Sequence, residues 1–220
     1  MGRLTRERLL GRGDSTYTSA MPRPEELTKH WDPPADHDPW VGEATKPGPI
    51  LIVDYDATWP SQYKRVAAHI RAALGDAVLA IEHVGSTSIP GLAAKPIIDI
   101  DLTLPDPVNE AAYVPALERA GFILRRREPA WHQHRLLRLD EPRTNLHVFG
   151  PDCPELVRHR MFREWLIAHP HERELYRRTK LAAAAMFADG SGTTLQYNRQ
   201  KEPVIREIYD RIFRSQGLLR

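Results

Sequence analysis

Between Val78 and Leu104 the chain runs from an apolar strand, through a turn of small residues, into a second apolar strand. Val78 to Val84 is broken by Gly85, and Gly85-Ser86-Thr87-Ser88 supplies small and hydroxyl residues where the chain must bend sharply. Pro96 to Leu104 alternates and is rich in Ile, which predicts a strand with at least one face in a core. Asp99 and Asp101 stand two residues apart on that strand. Period-two geometry puts both carboxylates on one face, close enough to repel unless a cation lies between them. Mg²⁺ takes oxygen ligands of this kind and shares them with substrate phosphates. The turn can aim backbone N–H groups and hydroxyls at an anion, and Lys95 adds a point charge suited to phosphate. Together these are parts for metal-assisted attack on a nucleoside triphosphate.

The rest of the chain predicts an α+β domain of 49–220 behind a Pro-rich extension. Residues 1–48 carry Pro22, Pro24, Pro33, Pro34, Pro39 and Pro47 but few apolar residues, and read as a loosely structured tail. Ile50 to Val53 reads as a short strand and Trp59 to Leu74 as a helix with Thr58 as its N-cap. Asn109 to Ala120 reads as a helix closed by Gly121, followed by strands at Phe122–Arg126, Arg135–Leu139 and Asn145–Phe149. Helices are expected over Pro154–His169, His171–Ala188 and Tyr197–Arg214. The sheet core thus occupies 49–150, and a helical cap 151–220.

Composition narrows the class. Of 220 residues 41% are hydrophobic and 27% charged, enough for one well-cored domain, and the net charge of +2 is far from that of a nucleic-acid coat. The one cysteine, Cys153, excludes an internal disulfide framework and reads as an inert surface or loop thiol. No run reaches the roughly twenty apolar residues that cross a bilayer, and Met1 to Ala20 lacks a secretory apolar segment, so a cytoplasmic location is expected. Arg125-Arg126-Arg127 with Trp131, His132, His134 and Arg135 forms a basic, aromatic hairpin. It reads either as a nucleotide or RNA contact or as a solvated edge kept from aggregating by charge, with Arg135 alone aimed at the cleft.

Val84-Gly85-Ser86 followed by Asp99-Ile100-Asp101 resembles the nucleotidyltransferase signature, a glycine–serine turn and an hDhDh strand. The string from His83 to Ile100 is similar, more narrowly, to the GrpB family of that superfamily. The likeness extends through Tyr55-Asp56, Trp59-Pro60, Asn145 to Val148, Arg158-His159, Phe162-Arg163, His169-Pro170, Tyr176, Lys180, Tyr197 and Lys201. It implies a nucleotidyltransferase-like mixed sheet with flanking helices and a C-terminal helical subdomain. It also implies Gly85 and Ser86 as phosphate binders, beside the Thr87 and Ser88 hydroxyls read from the turn, and Asp99 and Asp101 as Mg²⁺ ligands. Lys95, Lys180, Tyr197 and Lys201 would line the cleft, and His83 would either bind substrate or prop the loop. Active transferases of this kind normally place a third carboxylate on a neighbouring strand, where this chain has His147 with Asn145 on the same face. His147 can serve as base or metal ligand. Two functions follow as expectations: Mg²⁺-dependent nucleotidyl transfer from an NTP to an acceptor hydroxyl, or a non-catalytic binding or folding-assistance module that keeps the site's shape.

Overall fold

The computed structural model describes residues 21–34, 36–44 and 46–220. Five strands, β1 (Ala80–Val84), β2 (Ile98–Thr103), β3 (Ile123–Glu128), β4 (His134–Leu139) and β5 (Thr144–Phe149), form one mixed sheet in the order β1-β2-β5-β4-β3. Among the described residues six α-helices accompany it: α1 (Pro24–Thr28), α2 (Trp59–Leu74), α3 (Val114–Arg119), α4 (Pro154–Ala168), α5 (Pro170–Ala185) and α6 (Thr194–Gln216). The architecture is α+β. β2 and β5 run parallel at the centre, and all other neighbours are antiparallel.

Alternation along β2 decides what each face of the sheet does. Ile98, Ile100 and Leu102 are buried against Trp59, Val66 and Ile70 of α2, Leu117 of α3, and Leu146 and Val148 of β5. Each such side chain contributes about 1.5–3 kcal/mol by leaving water. That burial fixes the register, because a slip by one residue would turn Asp99 and Asp101 into this core. The opposite face, with both aspartates, meets the helical cap.

The cap has its own core, in which Val157, Met161, Trp165 and Leu166 of α4 pack on Ile208, Tyr209, Ile212 and Phe213 of α6. Helix α6 begins at a capping box, Thr193 Oγ1 accepting from Gln196 N (3.2 Å) and Gln196 Oε1 from Thr193 N (2.8 Å). Two arginines tie α4 to β1: Arg160 forks onto Glu82, and Arg163 Nη1 donates to the carbonyl of His83 at 2.7 Å.

Several sequence expectations differ from the structure. Ile50–Val53 is not a strand of the sheet. Only Val53 forms a β-bridge, to Ala94, while Ile50 and Ile52 pack on Ala183, Ala184 and Tyr197. Thr58 does not cap α2 with its side chain; Asp56 Oδ1 instead accepts from Thr58 N at 2.7 Å. The helix expected from Asn109 starts as a 3₁₀ turn, Glu110–Ala112, and becomes α-helical only at Val114, ahead of Pro115.

Much of the Pro-rich extension lies against the domain. Leu27 is buried in the cap core, and Arg158 holds the carbonyls of Leu27 and Lys29. Further on, Arg127 N donates to Pro39 O and Val41 N to Arg125 O, both at 2.9 Å, so this strap covers the outer edge of β3. Residues 1–20 lie outside the described ones. No helix of the described residues is long and apolar enough to cross a membrane.

Candidate functional site

A cleft of about 280 Å³ opens between the aspartate face of the sheet and the cap. Its floor comes from β2 and β5, whose parallel register sets Asp99 beside Asn145 and Asp101 beside His147. Asn145 Nδ2 donates to Asp99 Oδ1 at 2.8 Å, and His147 Nε2 lies 3.8 Å from the same oxygen. Burial works to raise the Asp99 pKa, but His147 when protonated, with Asn145 and Lys95, draws it below the ordinary carboxylate range.

The turn after β1 exists for Asp99. Gly85 has φ 67° and ψ −171°, a region that essentially only glycine occupies, and a Cβ there would fall 2.4 Å from Asp99 Oδ2. The absent side chain lets the carboxylate sit directly against the backbone. Ser86 follows into the cleft.

Asp101 is buried deeper. Its Oδ2 accepts from His159 Nδ1 of α4 at 2.8 Å, and among the described residues Oδ1 has no hydrogen-bond partner. Burial opposes a charge on His159, but Asp101 and then Glu155 outweigh it and lift its pKa to about 9, so the pair is ionic at neutral pH.

Lysines form the opposite wall. Lys95 and Lys201 lie over the ring of Tyr197, at 4.9 and 4.7 Å from its centroid. Lys180 donates to the carbonyl of Ala93 and lies 4.8 Å over Tyr176. Burial pushes Lys95 and Lys201 down to about 8; Lys201 depresses Lys95 further, while Asp99 draws both back up. Lys180 falls to about 6 through burial and the charge of Lys201. These side chains have lost much of their hydration without gaining a full complement of anions.

Of the residues singled out in the sequence, the cleft brings together Gly85, Ser86, Lys95, Asp99, His147, Lys180, Tyr197 and Lys201. Five others lie elsewhere. Asp101, expected beside Asp99 in the site, is buried in its pair with His159 and does not line the cleft. His83 points to the core side, its ring stacked on Tyr63 at 4.8 Å and its Nε2 donating to Thr87 Oγ1 at 3.0 Å. Burial keeps it neutral by pushing its pKa down to about 4. Thr87 turns inward as well, donating to Ile97 O at 3.2 Å, and Ser88 closes the turn on Gly85 O at 2.6 Å. Arg135 is bound to Glu110 at 2.6 Å.

The basic hairpin is occupied internally too. Arg126 stacks over Trp40, Arg127 forks onto Glu110, and Arg125 donates to Glu43 O. Cys153 is buried, its thiol pushed up to about 12 by burial. Trp131, weighed in the sequence as part of the basic hairpin, and His159, which the sequence did not mark as a site residue, both line the cleft. Both arrive from elements whose placement depends on tertiary packing.

A turn that seats one aspartate, a second aspartate two positions along the same strand, and a helical cap closing the cleft define a protein of the nucleotidyltransferase-like kind. More narrowly, the family model described as "GrpB protein" matches residues 49–211, and the chain belongs to the GrpB family. A UPF0157 protein of Halalkalibacterium halodurans is 47% identical over 163 residues, covering 74% of this chain and 82% of that one. A UPF0157 protein of Streptomyces coelicolor is 39% identical, with 74% and 83% covered. The crystal structure of the conserved protein GrpB from Enterococcus faecalis aligns with a TM-score of 0.67 at 27% identity, over 76% of this chain and 99% of that one. A dephospho-CoA kinase of Mycolicibacterium paratuberculosis is 33% identical over 74% of this chain, which spans 46% of the kinase.

Proposed function

We propose that the cleft binds a nucleoside triphosphate and transfers its nucleoside monophosphate to an acceptor hydroxyl. One observation carries this reading: Asp99, seated against Gly85, shares a single cleft with Ser86 and with three partly dehydrated lysines. Lys95 and Lys201, with Ser86, take the phosphate oxygens in this reading. His147 is the base: it accepts the acceptor's hydroxyl proton as that oxygen bonds to the α-phosphorus and pyrophosphate departs. The lysines neutralise charge on the departing group.

The donor set fits a divalent ion. Asp101 Oδ1 is a buried carboxylate oxygen without a partner among the described residues, an arrangement a cation would satisfy. No three His, Cys, Asp or Glu side chains among the described residues form a ready metal cage, so Asp99 and Asp101 would hold Mg²⁺ together with substrate phosphates. Bound there, Mg²⁺ supplies charge neutralisation at the phosphates.

The test is thermal stability with ATP, GTP, CTP and UTP plus Mg²⁺. Ligand at a hundred times its Kd adds about 2.7 kcal/mol, a rise of several degrees for a domain of this size. Lys95→Gln with Lys201→Gln is expected to remove most of it. If no triphosphate stabilises the wild type, the reading fails.

Binding also carries a proton signature. An anion beside Lys95, Lys180 and Lys201 raises their depressed pKa values toward 10.5, so protons are taken up on binding. Affinity should therefore strengthen at least ~10-fold from pH 9 to pH 6.5, one proton per tenfold per pH unit being the linkage limit. Calorimetry in buffers of different ionisation enthalpy reads the uptake directly; zero uptake at pH 7.5 would count against the lysine wall as the phosphate site.

A second reading rests on Asp101, which is already paired with His159 and, among the described residues, joins no group of three metal-ligating side chains. In that case the cleft binds nucleotide as a module without transfer, in keeping with a domain that makes up part of a longer kinase. Stabilisation by triphosphate without any incorporation of α-phosphate label into extract components would favour it.

A further inference from the structure

We infer that Glu128 and His134 are positioning residues for His147, fixing its Nδ1 as the donor and presenting its Nε2 to the cleft as the acceptor. The inference rests on the transfer reading for its catalytic meaning, although its geometry stands apart from any nucleotide.

The chain of hydrogen bonds starts at the last residue of β3. Glu128 is 6% exposed and paired in register with His134 at the start of β4. Its Oε2 lies 2.8 Å from His134 Nδ1, and its Oε1 lies 3.1 Å from His37 Nε2 of the strap. Burial would raise this carboxyl, yet its histidine partners and Arg126 hold it down at about 2, so it is ionised and can only accept. His134 Nδ1 therefore carries a proton and donates.

His134 is 2% exposed, and burial keeps it neutral by pushing its pKa down to about 4, so Nε2 holds a lone pair. That nitrogen lies 3.1 Å from His147 Nδ1. The two rings are 5.2 Å apart by centroid with planes inclined by 24°, a separation and tilt that suit an edge-to-edge N–H···N bond better than face-to-face stacking. His147 Nδ1 must then be the donor, so that in the neutral ring Nε2 is the acceptor. The nearest carboxylate oxygen to Nε2, on Asp99, is 3.8 Å away, beyond hydrogen-bond reach. Trp131 lies edge-on to His134 at 4.8 Å, and Phe149 lies at 4.8 Å with planes 30° apart, so the middle ring cannot swing away.

In a neutral histidine the bond made by one ring nitrogen decides the role of the other. A buried carboxylate acting through one imidazole thus orients a second, and its charge favours the imidazolium that forms when His147 takes a proton. This supplies, from behind the sheet edge, the negative charge that a third carboxylate would otherwise bring to the cleft. Glu128 and His134 lie within the region matched by the family model, whereas His37 lies outside it.

The test is the nitrogen spectrum of the full chain labelled with ¹⁵N-histidine, recorded through long-range ¹H–¹⁵N couplings at pH 7.5 without nucleotide. His147 and His134 are assigned by the signals lost in His147→Gln and His134→Phe. Both residues are expected to show a protonated Nδ1 and an unprotonated Nε2. In His134→Phe, His147 loses its acceptor and should move to a mainly Nε2–H population. A proton on Nε2 of His147 in the wild type overturns the inference, as does a His147 signal indifferent to His134→Phe. Should His134→Phe not fold, the wild-type spectrum decides alone. None of these outcomes depends on whether a triphosphate binds, so the transfer reading can fail separately.

Discussion

Replacing Gly85 by alanine should cost about 3–5 kcal/mol, and replacing Gly91 by alanine only about 1 kcal/mol. Both glycines have positive φ, 67° and 76°, so each substitution strains the backbone. They differ in what the new methyl group would meet. At Gly91 nothing lies within 4 Å, whereas at Gly85 the methyl would be 2.4 Å from Asp99 Oδ2 and 2.9 Å from Asp99 Cβ. Asp99 is held by Asn145 and by its place in the central strand, so it cannot retreat cheaply. Urea unfolding measures the difference. In a thermal scan it corresponds to a loss of roughly 10 °C for Gly85→Ala, at about 2–4 °C per kcal/mol for a chain of this size. Adding Asp99→Ala removes the carboxylate but leaves the Cβ contact, so the double variant should be less damaged than the sum of its parts by at least ~1 kcal/mol. Equal costs at the two glycines would show that the turn does not hold Asp99.

His159→Leu is expected to destabilise the protein by about 3 kcal/mol at pH 7, because it strands a buried carboxylate without its counter-charge. The Asp101 side chain is only 3% exposed and its Oδ1 already lacks a hydrogen bond. The sign with pH follows from the raised pKa of His159, about 9 in the folded protein against 6.5 when unfolded. The contribution of the pair is fully present below pH 6.5 and is lost as the pH climbs through about 9. The gap between wild type and His159→Leu should thus shrink from pH 6 to pH 10. It should not vanish, since neutral His159 still donates through Nδ1. The cleft lysines titrate in the same range but are common to both proteins, so they largely cancel in the difference. A gap that stays constant from pH 6 to pH 10 would mean that His159 packs against Asp101 without carrying charge.

Local pattern made much of the fold and part of the site legible. The Ile-rich alternation of β2 put Asp99 and Asp101 on a shared face, and the small-residue turn located the bend that seats Asp99. The same alternation in β1 places His83 with Ile81 on the core side, since His83 pairs with Ile100 and not with an aspartate. Thr87 and Ser88 were expected to bind phosphate, but their hydroxyls bond to backbone carbonyls instead. Whether a hydroxyl in such a turn faces an anion or closes the turn on its own carbonyls depends on the 3₁₀ geometry of 86–88.

By itself, then, the sequence determined the strand faces, the turn and the apolar stripes of the cap, because these follow from side-chain periodicity and backbone sterics acting over a few residues. Tertiary structure alone decided that His159 neutralises Asp101 and that Glu128 reaches His147 through His134. It also decided that Arg135 is held by Glu110 and that the Pro-rich strap covers the edge of β3. Each of those contacts joins elements far apart in the chain, and their strength comes from burial and charge partners that no local spacing encodes.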